Sequence, residues 1–368
     1  MTSDVFFADF RARAWKANKI SRIRELFDKA GFAGLIPPKA LTAVKVHFGE
    51  SGNDTYLNPL FARQVVDKIK EADGKPFITD TNTLYRGKRD NALDHIITAI
   101  EHGYAYSVVG APVIIADGLK RNHSRDVFIG KKHFEKVRIA GDILDADSMI
   151  VLSHFKGHEL AGFGGAIKNL AMGCAPYSGK KDQHQLCMQV DAEKCVGCGT
   201  CEEFCPTGAA KVLEGKSSIK RELCLGCGEC LAVCPEKCIS TDWTTEVVPF
   251  VERLTEYALG AISGKQGRVG YMNFLLNITP DCDCVPWSDK PIVPDVGILA
   301  SLDPVALDKA CLDLVNQQTG ASGSLLKNNL EPGQDKFTGL WSHTHGMVQL
   351  SYGAQLGLGS LDYHLIAL

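Results

Sequence analysis

Two stretches of the chain, KCVGCGTCEEFCPTGAA (194–210) and LCLGCGECLAVCPEKCI (223–239), repeat one spacing, C-x2-C-x2-C-x3-C-P. Spacers of two residues let three thiolates reach three corners of an iron–sulfur cube from one turn, while the fourth cysteine crosses to a second cube. The pattern therefore predicts two 4Fe–4S clusters. Cys195, Cys198, Cys201 and Cys234 are expected on one, and Cys224, Cys227, Cys230 and Cys205 on the other. Gly197, Gly199, Gly226 and Gly228 would let the backbone approach the sulfides, and Pro206 and Pro235 stiffen the exit of each crossing ligand. Paired zinc ribbons also use C-x2-C elements, but a zinc site takes four ligands, usually as two separated pairs. Two runs of four that each close on Cys-Pro fit that scheme poorly. Cys238 aligns with Ala209 of the first copy and reads as a small packing residue; Cys174 and Cys187 read as buried or spectator thiols.

The remaining composition is that of a globular protein, with 45% hydrophobic and 23% charged residues in 368. A net charge of −3 gives no electrostatic basis for nucleic acid or an anionic membrane as partner. Charges interrupt MTSDVFFADFRARAWK, so no signal-peptide core is expected there, and no run approaches the ~18 apolar residues of a membrane helix. A cytoplasmic location is expected, where fourteen cysteines are thiols or metal ligands.

On either side of the cysteine block, apolar strand-like runs alternate with amphipathic helical windows, the pattern of an α/β fold with a mostly parallel sheet. Strands are expected at Ala43–Phe48, Pro76–Thr79, Val113–Ala116, Met149–Leu152, Arg268–Ile278 and Val296–Ala300. Helices are expected at Ile20–Ala30, Pro59–Glu71, Asn91–His102 and Asp303–Gln318, with Asn58 and Asp303 as caps. The piece after the block holds too few strands for a sheet of its own. It is expected to complete the first part, giving an α/β domain from 1–188 and 243–368 with a ferredoxin-like α+β insertion at 189–242.

Ligands of open α/β sheets bind beyond the carboxyl ends of the strands, and here those ends are polar. They read His47-Phe48-Gly49-Glu50, Asp80-Thr81-Asn82-Thr83, Ser153-His154-Phe155-Lys156-Gly157-His158 and Asp281-Cys282-Asp283-Cys284. These groups are expected to converge on one cleft. After the third loop, Gly162, Gly164 and Gly165 would offer free amides ahead of a short helix, an arrangement for an anion that Lys168 and Lys156 could neutralise. Lys156, Lys168, Asp80 and Glu50 are acid–base candidates, and His154 or Asp80 would handle protons. Tyr85, Arg86 and Arg89 could clamp a carboxylate or lie on a solvated helix start. His154 and His158 have a metal spacing only if helical, against which Gly157 argues. Cys282, Cys284, His343 and His345 could together form a further metal site.

The motifs VKVHFGE, DTNTLYRGKR, SHFKGH, GFGGAIKNLAMGC, the cysteine repeat, CDC and DVGILASLDPVALDKA follow in that order. On these the chain resembles the Fe–S centre proteins known as domain of unknown function 362, from about residue 3 to about residue 320. The resemblance implies a large α/β domain interrupted by a ferredoxin domain, in anaerobic or facultative prokaryotes. It also implies a distant similarity to nickel-dependent racemases of the lactate type, with no residue-by-residue match that carries over their metal ligands. The expected function is an oxidoreductase whose clusters relay electrons to a small anionic substrate or cofactor in the cleft, supplied by a redox partner protein. Two other classes compete with it: an electron carrier or docking subunit, and a non-redox metal-dependent isomerase or regulator with structural clusters.

Overall fold

The apolar runs form one eight-stranded sheet: β1 (Ser3–Asp9), β2 (Leu41–Lys45), β3 (Lys75–Asp80), β4 (Val113–Ile115), β5 (Ser148–His154), β6 (Val269–Leu275), β7 (Gly297–Ser301) and β8 (Tyr363–Ala367). The computed structural model describes residues 2–85, 87–185, 188–240 and 247–368. The strands lie in the order β8-β1-β7-β6-β5-β2-β3-β4. All neighbours run parallel except at β7, which is antiparallel to both β1 and β6. Strands from both sides of the cysteine block thus share one sheet, with β6 paired to β5. All six expected strands are present. The patterning missed β1 and β8, which pair at the sheet margin and are only partly buried.

β5 is buried along its whole length because both sheet faces are covered. Met149 and Val151 point into one core, Ile150 and Leu152 into the other. The second core is closed by α1 (Lys19–Lys29), α2 (Pro59–Glu71) and α3 (Ala92–Glu101) through Leu26, Phe27, Val65, Val66, Ile69 and Ala99. The first is closed by α4 (Ala166–Gly173), α6 (Val247–Ala261) and α7 (Pro304–Asn316), with α5 (Tyr177–His184) at its edge. The expected caps hold. The Asn58 side chain accepts from Leu60 N–H at 2.9 Å, and the Asp303 carboxylate from Val305 and Ala306 N–H at 2.9 Å each.

The segment 188–240 carries two antiparallel ladders, Gln189–Val190 with Ile239–Ser240 and Ala210–Leu213 with Lys216–Ile219. Two short helices, Thr200–Phe204 and Glu229–Ala232, follow matching turns. The sequence repeat is also a repeat of conformation. Left-handed residues pair as Gly197 (φ 68°) with Gly226 (66°), Gly199 (84°) with Gly228 (83°), and Gly208 (67°) with Lys237 (48°). A Cβ at Gly197 would stand 2.3 Å from the Gly215 carbonyl oxygen, so this turn needs glycine for space as well as for φ. Cys174 is fully buried and burial pushes its thiol up to about 11, as befits a packing residue. Cys187 lies outside the described residues. Among the described residues no helix is long and apolar enough to cross a membrane.

Candidate functional site

The chain leaves β2 for β3 on one side and returns to β5 on the other, so the sheet has its switch point between β2 and β5. The carboxyl ends of the parallel strands open there on a cavity of about 1010 Å³. All four polar loops reach its wall, through His47, Asp80, Lys156, His158, Cys282 and Cys284 among others. The expected convergence is therefore what the fold builds.

Its floor is a set of buried ion pairs. Lys45, the last residue of β2 and wholly buried, places Nζ 2.9 Å from Asp80 and donates to Asn169 Oδ1 at 2.6 Å. Gly173 makes room for it, since a Cβ there would stand 2.3 Å from that Nζ. Burial alone would raise Asp80, but Lys45, His95, Arg89 and Lys180 hold it below the ordinary carboxylate range. An aspartate held that low fixes charge and carries protons poorly at neutral pH. Arg89, wholly buried, donates to Glu50 at 3.2 Å and to the Tyr85 hydroxyl at 2.9 Å, so the carboxylate it clamps is the protein's own. Arg86 lies outside the described residues.

His154 lies on the cleft wall with both ring nitrogens engaged. Nδ1 donates to the Asp283 carboxylate at 2.9 Å, and Nε2 faces the carbonyl oxygens of Leu276 and Asn277 at 2.8 and 3.1 Å. Lys156 reaches the same carboxylate at 3.3 Å. Burial opposes it, yet His154 and Lys156 together pull Asp283 far below the usual carboxylate range. His158 accepts the N–H groups of Leu160 and Ala161 on Nδ1 at 3.1 Å each, which puts its ring proton on Nε2.

The glycine-rich turn differs from its expected use. Residues Gly162–Gly164 form a short strand against Lys156–His158. The anion at the start of α4 is internal: Asp308 accepts the N–H of Ala166 at 2.8 Å and of Ile167 at 2.9 Å. A carboxylate already occupies the helix N-terminus, which removes those amides from any ligand. Gly164, Gly165, Lys156 and Lys168 still line the cavity, whereas Gly162 packs against Gly346. The four-residue metal site is likewise not assembled. Among the described residues no three of Cys282, Cys284, His343 and His345 bring ligand atoms within 4.8 Å of one another. His343 instead donates to the Glu159 carbonyl at 2.7 Å.

Sequence reasoning missed three groups whose chemistry depends on burial. Lys180 of α5 bonds Thr81 Oγ1 at 2.5 Å and the Ala175 carbonyl at 2.8 Å, and burial lowers its amine to about 8. Glu159 is pushed up to about 7, chiefly by burial. His184 is lowered to about 4 by burial and donates from Nδ1 to the Gly226 carbonyl at 2.9 Å, tying the cleft wall to the second cysteine loop. All three line the cavity. No spacing marks them, although the Lys180-Lys181 pair is visible in the sequence.

Two loops of the wall meet backbone to backbone. A Cβ at Gly157 would stand 2.2 Å from the Pro280 carbonyl oxygen. Gly157→Ala should therefore push the 156–158 strand off the 280–284 turn, costing about 1–3 kcal/mol. Urea unfolding of variant against wild type measures this; equal midpoints would show that the contact yields freely.

Beyond the cleft the cysteines fall into two smaller cavities. One, of about 300 Å³, is lined by Cys195, Cys198, Cys201, Cys234 and Cys238. The other, of about 310 Å³, is lined by Cys205, Cys224, Cys227 and Cys230. Backbone N–H groups of Ser217, Ala210 and Gly226 donate to the sulfurs of Cys195, Cys205 and Cys224 at 3.3, 3.4 and 3.4 Å. Cys227, Gly228 and Glu229 line the second cavity and the cleft alike.

Fold and site define an α/β protein with a charged cleft at the switch point of a mostly parallel sheet. The chain belongs to the family described as Domain of unknown function (DUF362), whose model matches residues 42–313. No curated protein matches it. Among solved structures, the lactate racemase apoprotein from Thermoanaerobacterium thermosaccharolyticum aligns at 14% identity and a TM-score of 0.35, over 69% of this chain and 49% of that one. A structural-genomics target protein from Thermotoga maritima aligns at 10% identity and a TM-score of 0.38, over 80% of this chain and 58% of that one.

Proposed function

We propose that the protein is an oxidoreductase that delivers electrons to a small anionic substrate in the cleft, through two 4Fe–4S clusters. Cys195, Cys198, Cys201 and Cys234 would hold one, and Cys205, Cys224, Cys227 and Cys230 the other, in a ferredoxin-like insertion at 189–242. The donor set fits. Each quartet encloses its own cavity, and main-chain N–H groups point at the sulfurs, as thiolate ligands of a cluster require. Zinc fits less well: four thiolates about 2.3 Å from one ion stand about 3.8 Å apart. Among the described residues no three cysteine sulfurs lie within 4.8 Å of one another. Clusters of this type supply reversible one-electron transfer.

The observation that carries the reading is the shared wall at Cys227, which puts one cysteine quartet against the cleft. The other quartet reaches the surface at one corner: Cys198 is exposed while Cys195 and Cys201 are buried, and Val196 and Leu213 are 63% and 61% exposed on the same segment. This apolar surface suits the docking of a redox partner protein. Lys156 and Lys168 would hold the anionic group of the substrate. Proton transfer falls to Lys180 and Glu159, whose values near neutrality suit the task. A reducing cytoplasm suits so many free thiols.

The test is anaerobic. Dithionite-reduced protein is mixed with a panel of small carboxylates and phosphate esters, and reoxidation is followed by visible absorption. At least one compound should reoxidise the wild type, and Lys168→Ala should need far more of it. A panel that neither binds nor reoxidises the protein would leave the electron-carrier reading standing instead. The binding should also titrate. With the Lys180 amine facing the same cleft at about 8, affinity for that compound should fall about tenfold from pH 7 to pH 9, and Lys180→Met should keep only the smaller fall that comes from Glu159 ionising above about 7. Isothermal calorimetry at the two pH values reads this.

A further inference from the structure

Cys282 and Cys284 of the CDC turn line neither of the two cysteine cavities. Cys282 is 2% exposed, Cys284 is half-buried, and both line the cleft. Cys284, Tyr85 and Glu229 also line a surface groove of about 970 Å³, so this turn stands between cleft and solvent. The two thiols stand one residue apart on the same wall and influence each other electrostatically. Lys168 Nζ donates to Cys282 Sγ at 3.5 Å. Between them Asp283 turns away into its pairs with His154 and Lys156, which pins the turn and keeps both sulfurs on the cleft side.

We propose that Cys282 and Cys284 are a reversible dithiol–disulfide couple that collects two electrons in the cleft, the station between one-electron carriers and a two-electron substrate. Oxidation forms one S–S bond from the Cys282 thiolate and the Cys284 thiol and releases two electrons and the one proton of Cys284; reduction breaks that bond, takes up two electrons and returns that proton. The reductant is a low-potential one-electron donor acting twice, and the oxidant is the bound two-electron substrate. The inference rests on the oxidoreductase reading for the source of its electrons. The sulfurs are prepared for exchange: the neighbouring Cys284 thiol, with Lys168 and Lys156, holds Cys282 well below the ordinary thiol value against burial, while Cys284 is raised. A thiolate beside a thiol is the reactive arrangement in thiol–disulfide exchange.

Trypsin releases the turn in a peptide spanning 269–309, which holds these two cysteines and no other. Holoprotein is equilibrated anaerobically across ratios of reduced to oxidised glutathione, quenched with N-ethylmaleimide and digested. The peptide should pass directly from a doubly alkylated form to an unalkylated one lighter by two hydrogens. In Lys168→Met, which removes the cation that favours the thiolate, the transition should need a more reducing mixture. Two alkylated thiols at every ratio, a mixed disulfide with glutathione, or a metal ion retained by both sulfurs would each overturn the proposal. The disulfide form should also take up about four electrons per chain from dithionite, against about two for the dithiol form and for Cys284→Ala. Equal uptake by the two forms would likewise overturn it. Iron is assayed on the same samples. A glutathione transition without iron defeats the cluster reading and spares the dithiol; iron without a transition does the reverse.

Discussion

Protein prepared without oxygen should carry about eight iron and about eight acid-labile sulfide per chain, and Cys227→Ala should lose about half of both. Cys227 is the informative position because it lines the cleft as well as the second cysteine cavity. Its loss should leave the quartet of Cys195, Cys198, Cys201 and Cys234 loaded, and should abolish reoxidation by any compound bound in the cleft. Cys198→Ala, at the exposed corner of the other quartet, should instead block reduction by a partner protein. A chelator that strips both sites should loosen residues 188–240, since ligand loops of this kind gain much of their order from the metal. Two short, largely polar ladders and two helices of four or five residues give them little else. Metal analysis with visible spectra of the three proteins decides the matter. Zinc in place of iron, or a Cys227→Ala protein with full iron, would end the redox account.

What the sequence conveyed and what it withheld divide along physical lines. The strand Ser148–His154 was legible through its centre, Met149–Leu152, because a strand buried on both faces tends to carry an unbroken apolar run. The cleft was legible because polar residues at the ends of such strands have few places to go but a shared crevice. Pairing partners were not. Nothing local to GFGGAIKN indicates that Asp308, far along the chain, caps that helix, so the turn read as an open anion site. Nor does any spacing show that both His154 nitrogens are spent on Asp283 and on backbone carbonyls. Lys180 and Glu159 became candidates only through burial. Cys238 falls between these cases. Its alignment with Ala209 gave only a small packing position; that both residues line a cysteine cavity, and that Cys238 comes within 3.4 Å of Cys234 Sγ, needed the fold.

Asp283→Ala should be the most damaging single change in the cleft, lowering the unfolding free energy by about 3–5 kcal/mol. The carboxylate answers two cationic or donating groups at once, His154 at 2.9 Å and Lys156 at 3.3 Å, and all three are buried. Its removal leaves Lys156 without the charge that holds its amine up against burial. Among the described residues the other hydrogen bond of Lys156 is to the His154 carbonyl, a neutral acceptor that leaves the buried ammonium without a counter-charge. Asp283→Asn keeps the shape and one acceptor, so it should fall between wild type and Asp283→Ala. The pH dependence follows from the sign of the shift. A carboxylate depressed in the folded state stabilises fully above its ordinary value, about 4, and loses that contribution only as the pH falls below it. The gap between wild type and Asp283→Asn should therefore stay constant from pH 6 to pH 8. Urea midpoints at those two pH values test both claims. A gap that shrinks over this range, or an Asp283→Ala midpoint equal to wild type, would mean that water reaches the triad and that the CDC turn is held by something else.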